Sequence, residues 1–372
     1  MAQNTYTKSK WSDKMPLMPK FSTLIRFLKP KNQILVSMGL LLLVLTGTQI
    51  YGRTVAQAAS PTPPATAPSQ NTDATNFTLT KTLTEHAGGV GTVAISPDGK
   101  ILVSGSSDKS IKIWDLETGE LRRTLTGHTN PVLAVAISPD GKTLVSGSSD
   151  KTLKIWNLET GRLRRTLSGH SGGIYSVAIS PDGRTLVSGS GDGRIKIWNL
   201  STGGLQRTLS PRSGMILSVA ISPDGKSLAS GNQDLSVKIW NLSTGRLVRS
   251  LKGHTFYAVW SVAFSPDGKM LVSGSHDKTI KIWNLDNGEV IRTLQDESPV
   301  FTVAINPDGK TIASGDESSN IKRWDMNTGQ LLQTLSGHSD QVRSLAFSRD
   351  GKIIVSAGSG SRDETIRIWR SQ

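Results

Sequence analysis

His128, Ser146, Asp150 and Trp156 lie within one short block, Gly127 to Leu158. A hydroxyl, an imidazole and a carboxylate are the parts of a nucleophile activated by a base that a third group orients. The same letters also suit a structural network. A buried indole N–H needs an acceptor, a hydroxyl can accept from it and donate to imidazole, and a carboxylate can hold the other ring nitrogen. Repetition decides between the two. The set recurs complete as His86, Ser104, Asp108, Trp114; as His170, Ser188, Asp192, Trp198; as His254, Ser273, Asp277, Trp283; and as His338, Ser356, Asp363, Trp369. An enzyme needs one site with distinct roles, so equivalent copies read as scaffold and no catalytic residue is assigned. The Asp-Gly turns lack the alternating oxygen spacing of a calcium loop. Cysteine is absent, which removes disulfides, thiolate metal sites and a Cys nucleophile. No metal and no cofactor is expected.

The elements that would carry these residues are short strands. Val132 to Ile137, Thr143 to Ser148 and Thr152 to Trp156 are β-formers broken by Pro139-Asp140-Gly141 and Ser149-Asp150-Lys151, which are turn sequences. One such block has too little core to fold alone, and the chain repeats it. Trp114, Trp156, Trp198, Trp240, Trp283, Trp324 and Trp369 are spaced by 42, 42, 42, 43, 41 and 45 residues. Periods of roughly 40–45 residues with four strands each are the propeller signature. Around each Trp recur Gly-His or a substitute, a Val-rich strand, Pro-Asp-Gly (Arg349-Asp350-Gly351 in the last), Ser-Gly-Ser, Asp, and Ile-Lys-Ile-Trp. A fourth strand follows, such as Leu163 to Leu167. None follows Trp369, but Leu79 to Leu83 carries its pattern ahead of the first frame.

Over residues 77 to 370 this frame resembles the WD-repeat family of β-propellers. The name-giving dipeptide is intact only at Trp114-Asp115 and Trp324-Asp325; Asn157, Asn199, Asn241, Asn284 and Arg370 follow the other Trp residues. The resemblance implies an all-β domain of seven four-stranded antiparallel blades, with Phe77 to Thr84 closing the ring beside Ile366 to Trp369. It also implies that the recurring polar set is the family's hydrogen-bonded tetrad. Two frames break the set: Arg212 stands in the His position of the fourth, and Glu297 and Ser318 replace His and Asp in the sixth. A half-satisfied network costs stability, so blades four and six are expected to be locally looser.

Ahead of the repeats the chain changes character. Residues 1–33 carry Lys8, Lys10, Lys14, Lys20, Arg26, Lys29 and Lys31 against Asp13 alone. Asn32 to Gly52 is uncharged, long enough to span a bilayer as a helix, and the basic side precedes it, which keeps the N-terminus cytoplasmic. Ala56-Gln57-Ala58 offers a signal-peptidase site instead. Residues 34–52 are therefore read as a transmembrane or signal segment and 53–76, rich in Pro, Ala, Ser and Thr, as a linker. Residues 77–372 are the propeller. Its expected location is extracytoplasmic, membrane-tethered through 34–52 or released by cleavage after Ala58.

The net charge is +14. Lys112, Lys154, Lys196, Lys238, Lys281, Lys322 and Arg367 sit two before each Trp, and Arg122-Arg123, Arg164-Arg165, Arg207, Arg249 and Arg292 sit in the outermost strands. These read as a belt spread around the rim, guarding sheet edges and poorly shaped to track a phosphate backbone; nucleic acid is not the expected partner.

Function is sought where the copies differ, because loops on one face carry binding in repeat folds. In the family that face is built by residues following Gly-His and by the residue before the structural Asp. Blades one and two are small there, whereas later blades gather Tyr175, Met215, Leu217, Trp260 and Phe301. Phe256-Tyr257 lies in a loop one residue longer, and Arg343 and Arg362 follow in blade seven, the latter beside an inserted flexible tip, Gly358-Ser359-Gly360. Aromatic and Met residues flanked by Arg suit a protein–protein hot spot. The alternative for the rings is packing into the channel mouth. The expected function is a non-enzymatic, monomeric scaffold holding a protein or peptide. A second reading is an envelope glycan or anionic polymer in the central cavity, held by Trp260, Tyr175 and nearby Arg; a third, hydrolysis, lacks a unique constellation.

Overall fold

The computed structural model describes residues 76–372. The basic tail, the 34–52 segment and nearly all of the linker lie outside these residues. No helix among the described residues is long and apolar enough to cross a membrane.

Among the described residues, twenty-eight strands form seven sheets of four. Blade one is Val90–Ile95, Ile101–Ser106, Ile111–Asp115 and Leu121–Leu125, antiparallel throughout, and blades two to six repeat its order. The first strand of each blade is innermost and neighbours the first strands of the blades on either side, so the seven close a ring about a central axis. The apolar cores lie between blades. Leu144, Trp156 and Leu158 of blade two pack on Val103, Ile111, Ile113 and Leu125 of blade one, and each junction repeats this pattern. Burying each such side chain contributes about 1.5–3 kcal/mol.

Two features permit the close approach. A Cβ added at Gly147 would stand 2.6 Å from Ile174 Cγ2 of the next blade, so the Gly of Ser-Gly-Ser is a contact requirement. A hydroxyl on the third residue of the inner strand also accepts a backbone N–H from the following blade. Examples are Val135 N to Thr92 Oγ1 (3.2 Å), Val219 N to Ser176 Oγ (3.0 Å) and Val262 N to Ser218 Oγ (3.1 Å).

The lysines two before each Trp do not form a rim belt. Side chains alternate along a strand, which puts them on the Trp face of an interior third strand. Lys154 Nζ donates to Thr166 Oγ1 of the outer strand at 3.0 Å, and Lys112, Lys196 and Lys281 repeat this with Thr124, Thr208 and Thr293. Their alkyl stems are buried or nearly so, as amphipathic side chains allow. The outer-strand arginines reach the next blade: Arg207 Nη2 donates to Ser243 O at 3.1 Å and Arg249 Nη2 to Asp286 O at 3.0 Å.

Blade seven is assembled from both ends of the domain. Phe77–Leu83 pairs antiparallel with Ile366–Ser371, from Phe77 opposite Ser371 to Leu83 opposite Ile366, with a bulge between Leu79 and Lys81. In blades two to six a glycine turn enters the outer strand against the preceding blade's Arg; a Cβ on Gly161 would run into the Arg123 side chain. At the seam Phe77 takes that place. Its N–H donates to Gln333 Oε1 (3.0 Å), its carbonyl accepts from Gln333 Nε2 (2.9 Å), and the Arg323 guanidinium lies 4.6 Å from its ring centre. Blade six departs from its sister blades at Arg323 and Gln333 because its neighbour is the N-terminal strand.

Deleting Phe77–Thr84 is expected to open the ring and abolish cooperative melting at the wild-type temperature. Phe77→Ala is expected to cost about 3–5 kcal/mol in urea titrations; a wild-type midpoint in either variant contradicts closure as a stability requirement.

Candidate functional site

The tetrads hold the loops of one face. In blade two His128 Nδ1 lies 2.7 Å from Asp150 Oδ2, His128 Nε2 lies 2.7 Å from Ser146 Oγ, and Trp156 Nε1 donates to Ser146 Oγ at 2.9 Å. His86, His170, His254 and His338 hold the same contacts in their blades, with Nδ1 to carboxylate distances of 2.7, 2.8, 2.9 and 2.8 Å. The carboxylate also accepts the backbone N–H of the residue after the His, as from Thr129 (3.1 Å), Thr255 (2.9 Å) and Ser339 (2.7 Å). That bond fastens the loop after the His onto the turn before the third strand.

The two broken sets are filled differently from the sequence expectation. In blade six it is Asp296, not Glu297, that stands four residues before the inner strand, where His stands in blade seven, and it is buried at 2% exposure. Lys322 Nζ donates to Asp296 Oδ1 at 2.6 Å and lies 3.7 Å from Asp316 Oδ2. A buried lysine–carboxylate pair thus stands where the other blades use a histidine. In blade four Arg212 is exposed and takes a left-handed φ of 55°; Ser213 is buried, and Lys238 Nζ donates to Asp234 Oδ2 at 2.8 Å. In each of these blades the third-strand lysine meets a carboxylate that lacks a histidine partner.

Burial pushes the imidazoles of His128 and His170 below their ordinary value, against the pull of Asp150 and Asp192. For Asp108, burial alone would raise the carboxyl, but hydrogen bonds from His86 and Ser110 hold it below the carboxylate range. The unfolded chain therefore takes up protons first as pH falls through the ordinary histidine value of 6.5, and stability drops from there downward. The urea midpoint is expected to be level above about pH 7.5 and to decline by pH 5; a level midpoint across that window contradicts neutral buried imidazoles. Asp316 behaves oppositely, its carboxyl raised by burial and by the Asp296 charge. Lys322→Met is expected to cost about 3–5 kcal/mol at neutral pH by stranding two buried carboxylates. That penalty should shrink as acid protonates them, and a pH-independent penalty would refute the ion-pair reading.

At the face itself, the turn and the loop of each blade join around the axis. Backbone N–H groups of Ser107, Ser149, Gly191, Gln233, His276, Glu317 and Ser359 donate to carbonyls of Gly89, Pro131, Gly173, Met215, Ala258, Pro299 and Gln341 at 2.9–3.2 Å. Blade seven corrects one expectation. Ser359, not Arg362, occupies this ring position, because the inserted residues lie between it and Asp363; Arg362 is displaced and exposed, its carbonyl accepting from Ser339 Oγ at 2.7 Å. Nor is Gly358-Ser359-Gly360 a free tip: Gly358 ends a strand, Ser359 is buried, and a Cβ on Gly360 would run into the Asp340 carboxylate.

The second residue of each inner strand forms a collar at the mouth: Gly91, Leu133, Tyr175, Leu217, Trp260, Phe301 and Arg343. Leu217 and Phe301 are buried, at 6% and 5% exposure, and supply packing where surface contact was expected. Tyr175 and Met215 both approach Gly191, whose added Cβ would lie 3.0 Å from the Tyr ring and 3.8 Å from Met215 Sδ. The other rings cluster on blades five and six. Trp260 and Phe301 meet edge to face with centres 5.4 Å apart, and the Arg343 guanidinium carbon lies 5.0 and 4.0 Å from those centres. Tyr257 and His276 are 5.1 Å apart, and His276 lies 5.8 Å from Phe256. Sequence reasoning left His276 out of the site, although its place before Asp277 marked it.

The longer blade-five loop presents these rings at a conformational cost. Tyr257 has φ 62°, and Ala258 N donates to Phe256 O at 3.0 Å, the three-residue turn with positive φ that is rare for a bulky residue. Such strain costs on the order of 1–3 kcal/mol and concentrates at functional sites. It leaves Phe256 61% exposed and turns Tyr257 toward Trp260, the ring centres 6.4 Å apart.

Comparison with known proteins agrees with the architecture. The WD domain, G-beta repeat model matches residues 77–115, 245–284, 288–325 and 329–370, and the model of the IFT122 first beta-propeller matches residues 109–234. Protein HIR1 of Kluyveromyces lactis is 58% identical over 38 residues, 10% of this chain and 4% of that protein. Small ribosomal subunit protein RACK1 of Medicago sativa is 50% identical over 46 residues, 12% of this chain and 14% of that protein. Pre-mRNA-splicing factor PRP46 of Yarrowia lipolytica is 48% identical over 42 residues, 11% and 10% of the two chains. Each match spans about one repeat, a small part of either protein. Sheet order and matched repeats converge: residues 77–372 form a seven-bladed β-propeller, four stretches of which match the WD40 repeat.

Proposed function

We infer that this propeller is a non-enzymatic scaffold that binds a protein or peptide at the channel mouth, chiefly through blades three to seven. The observation that carries the reading is the strained loop at Tyr257, which sets Phe256 in solvent beside a ring cluster in one sector of an otherwise regular face. Large rings that lose little rotamer freedom make such a patch a hot spot. The similar proteins include one named as a ribosomal-subunit protein and one named as a splicing factor, which supports a scaffold role by similarity. Export or tethering belongs to the same proposal and rests on the uncharged run from Asn32 to Gly52 behind a basic tail.

Crosslinking and pull-down from membranes tests it. Tyr257→Ala combined with Trp260→Ala is expected to reduce partner capture at least about tenfold, the loss of about 1.4 kcal/mol or more, while the melting transition persists. Unchanged capture contradicts the assignment of the face. N-terminal sequencing of the recovered protein reads the first residue: a start after Ala58 means release by cleavage, and an intact start with membrane retention means tethering.

A further inference from the structure

We propose that the mouth of the propeller is a socket for a carboxylate, an Asp or Glu side chain or the C-terminus of a bound peptide, received by Arg343 against the faces of Trp260 and Phe301. The inference rests on the binding face argued above and names the chemistry it selects. In the collar the cation is the point of departure: the other six positions hold Gly91, Leu133, Tyr175, Leu217, Trp260 and Phe301, and only blade seven places a charge among them.

Arg343 is oriented but not neutralised. Its Nε donates to Gln341 Oε1 at 3.0 Å, and its guanidinium carbon lies 4.0 Å from the Phe301 ring centre and 5.0 Å from that of Trp260. Of five guanidinium N–H donors that bond uses one, and among the described residues no carboxylate forms an ion pair with it. Glu317 and Asp340 act on it only through space, while burial among the rings lowers its pKa to about 10, so it stays charged at neutral pH. The side chain remains partly exposed. The surrounding cluster is short of an acceptor too, since the Trp260 Nε1–H donor is buried without a hydrogen-bond partner. A planar cation held by a hydrogen bond at one edge and by rings over its face presents its free edge in a fixed plane. That shape fits a carboxylate, which accepts two parallel N–H bonds.

Charge selects carboxylate over phosphate. A phosphomonoester carries about −1.5 to −2 and is best met by several cations. Here one guanidinium is present, His276 is held toward its neutral form by burial, Glu317 is nearby, and Arg362 is displaced from the ring. A monoanion balances Arg343; a dianion does not. The apolar walls explain why the acid should come on a peptide, since flanking aromatic or aliphatic residues can cover Tyr257 and Phe256 while the acid enters the mouth.

The test uses the full-length chain labelled at tryptophan indole nitrogens, with the Trp260 signal assigned by Trp260→Phe. The probes are Ac-Gly-Phe-Glu-Phe-Gly-amide, its Gln and phosphoserine counterparts at the central position, Ac-Gly-Phe-Gly with a free C-terminus, and inorganic phosphate. The Glu peptide is expected to shift Trp260 and to bind at least about tenfold tighter than the Gln peptide, about 1.4 kcal/mol. Arg343→Gln is expected to erase that preference while the tetrad indole signals keep their positions, and Arg343→Lys to restore only part of it. A free C-terminus that binds as well as Glu assigns the socket to chain ends; a capped Glu that binds better assigns it to side chains. Equal binding of Glu and Gln peptides to the wild type, which needs no variant to fold, overturns the proposal. So does tighter binding of phosphoserine or of phosphate alone, or a Glu preference that survives in Arg343→Gln. If those outcomes occur while Tyr257→Ala with Trp260→Ala reduces partner capture as expected, the binding face stands and only its acid selectivity falls.

Discussion

A four-stranded blade has two apolar faces and cannot cover either by itself; every blade is stable only because another leans on each side. The whole domain therefore depends on there being no first or last blade. Pairing of Phe77–Leu83 with Ile366–Ser371 supplies that condition, since it makes blade seven from both ends of the described chain. The adjustments around it are local. Phe77 takes the space a turn glycine occupies elsewhere, Gln333 bonds both of its backbone groups, and Arg323 covers its ring. Strand closure in a propeller is thus a set of specific side-chain contacts as well as a ladder of backbone hydrogen bonds.

Polar groups inside such a ring must be satisfied or they cost stability, and the protein meets this in two ways. Five blades use a His held between a carboxylate and a hydroxyl, and the carboxylate also fastens the neighbouring loop. Blades four and six draw in the third-strand lysine instead, pairing Lys238 with Asp234 and Lys322 with Asp296. The same lysine elsewhere bonds an outer-strand Thr, so an existing cation is redirected without change of fold. Both arrangements serve the mouth, because each sets where a loop and a turn meet.

The mouth is where the copies stop being equivalent. In blades one and two it is lined by small residues or Leu133; from blade three onward the collar and the loops above it carry rings. The strained turn at Tyr257 joins this sector to solvent through Phe256, while Leu217 and Phe301 sit beneath as support. Arg343 stands among the rings with most of its donors unspent. A regular scaffold carrying an irregular, donor-rich and aromatic sector is suited to recognising one feature of a partner.

Much of the fold was legible in the sequence because its determinants are local and repeated. Turn residues, alternating β-formers and a Trp every 41 to 45 residues specify strands and blade number without any long-range information. The closing strand was legible as well, because its pattern was missing at one end and present at the other. What tertiary structure alone decided depends on side-chain direction and on neighbours distant in sequence. Burial of the lysines follows from which face of an interior strand they occupy. Asp296 fills the place of a histidine because of its distance from the inner strand, and Ser359 displaces Arg362 because an insertion shifts the ring contact. Leu217 and Phe301 could be named as mouth residues but not as buried ones, since their covering comes from adjacent blades. The stacking of Arg343 on two rings from blades five and six has no local signature at all, because it exists only once the ring has closed and brought those three inner strands side by side.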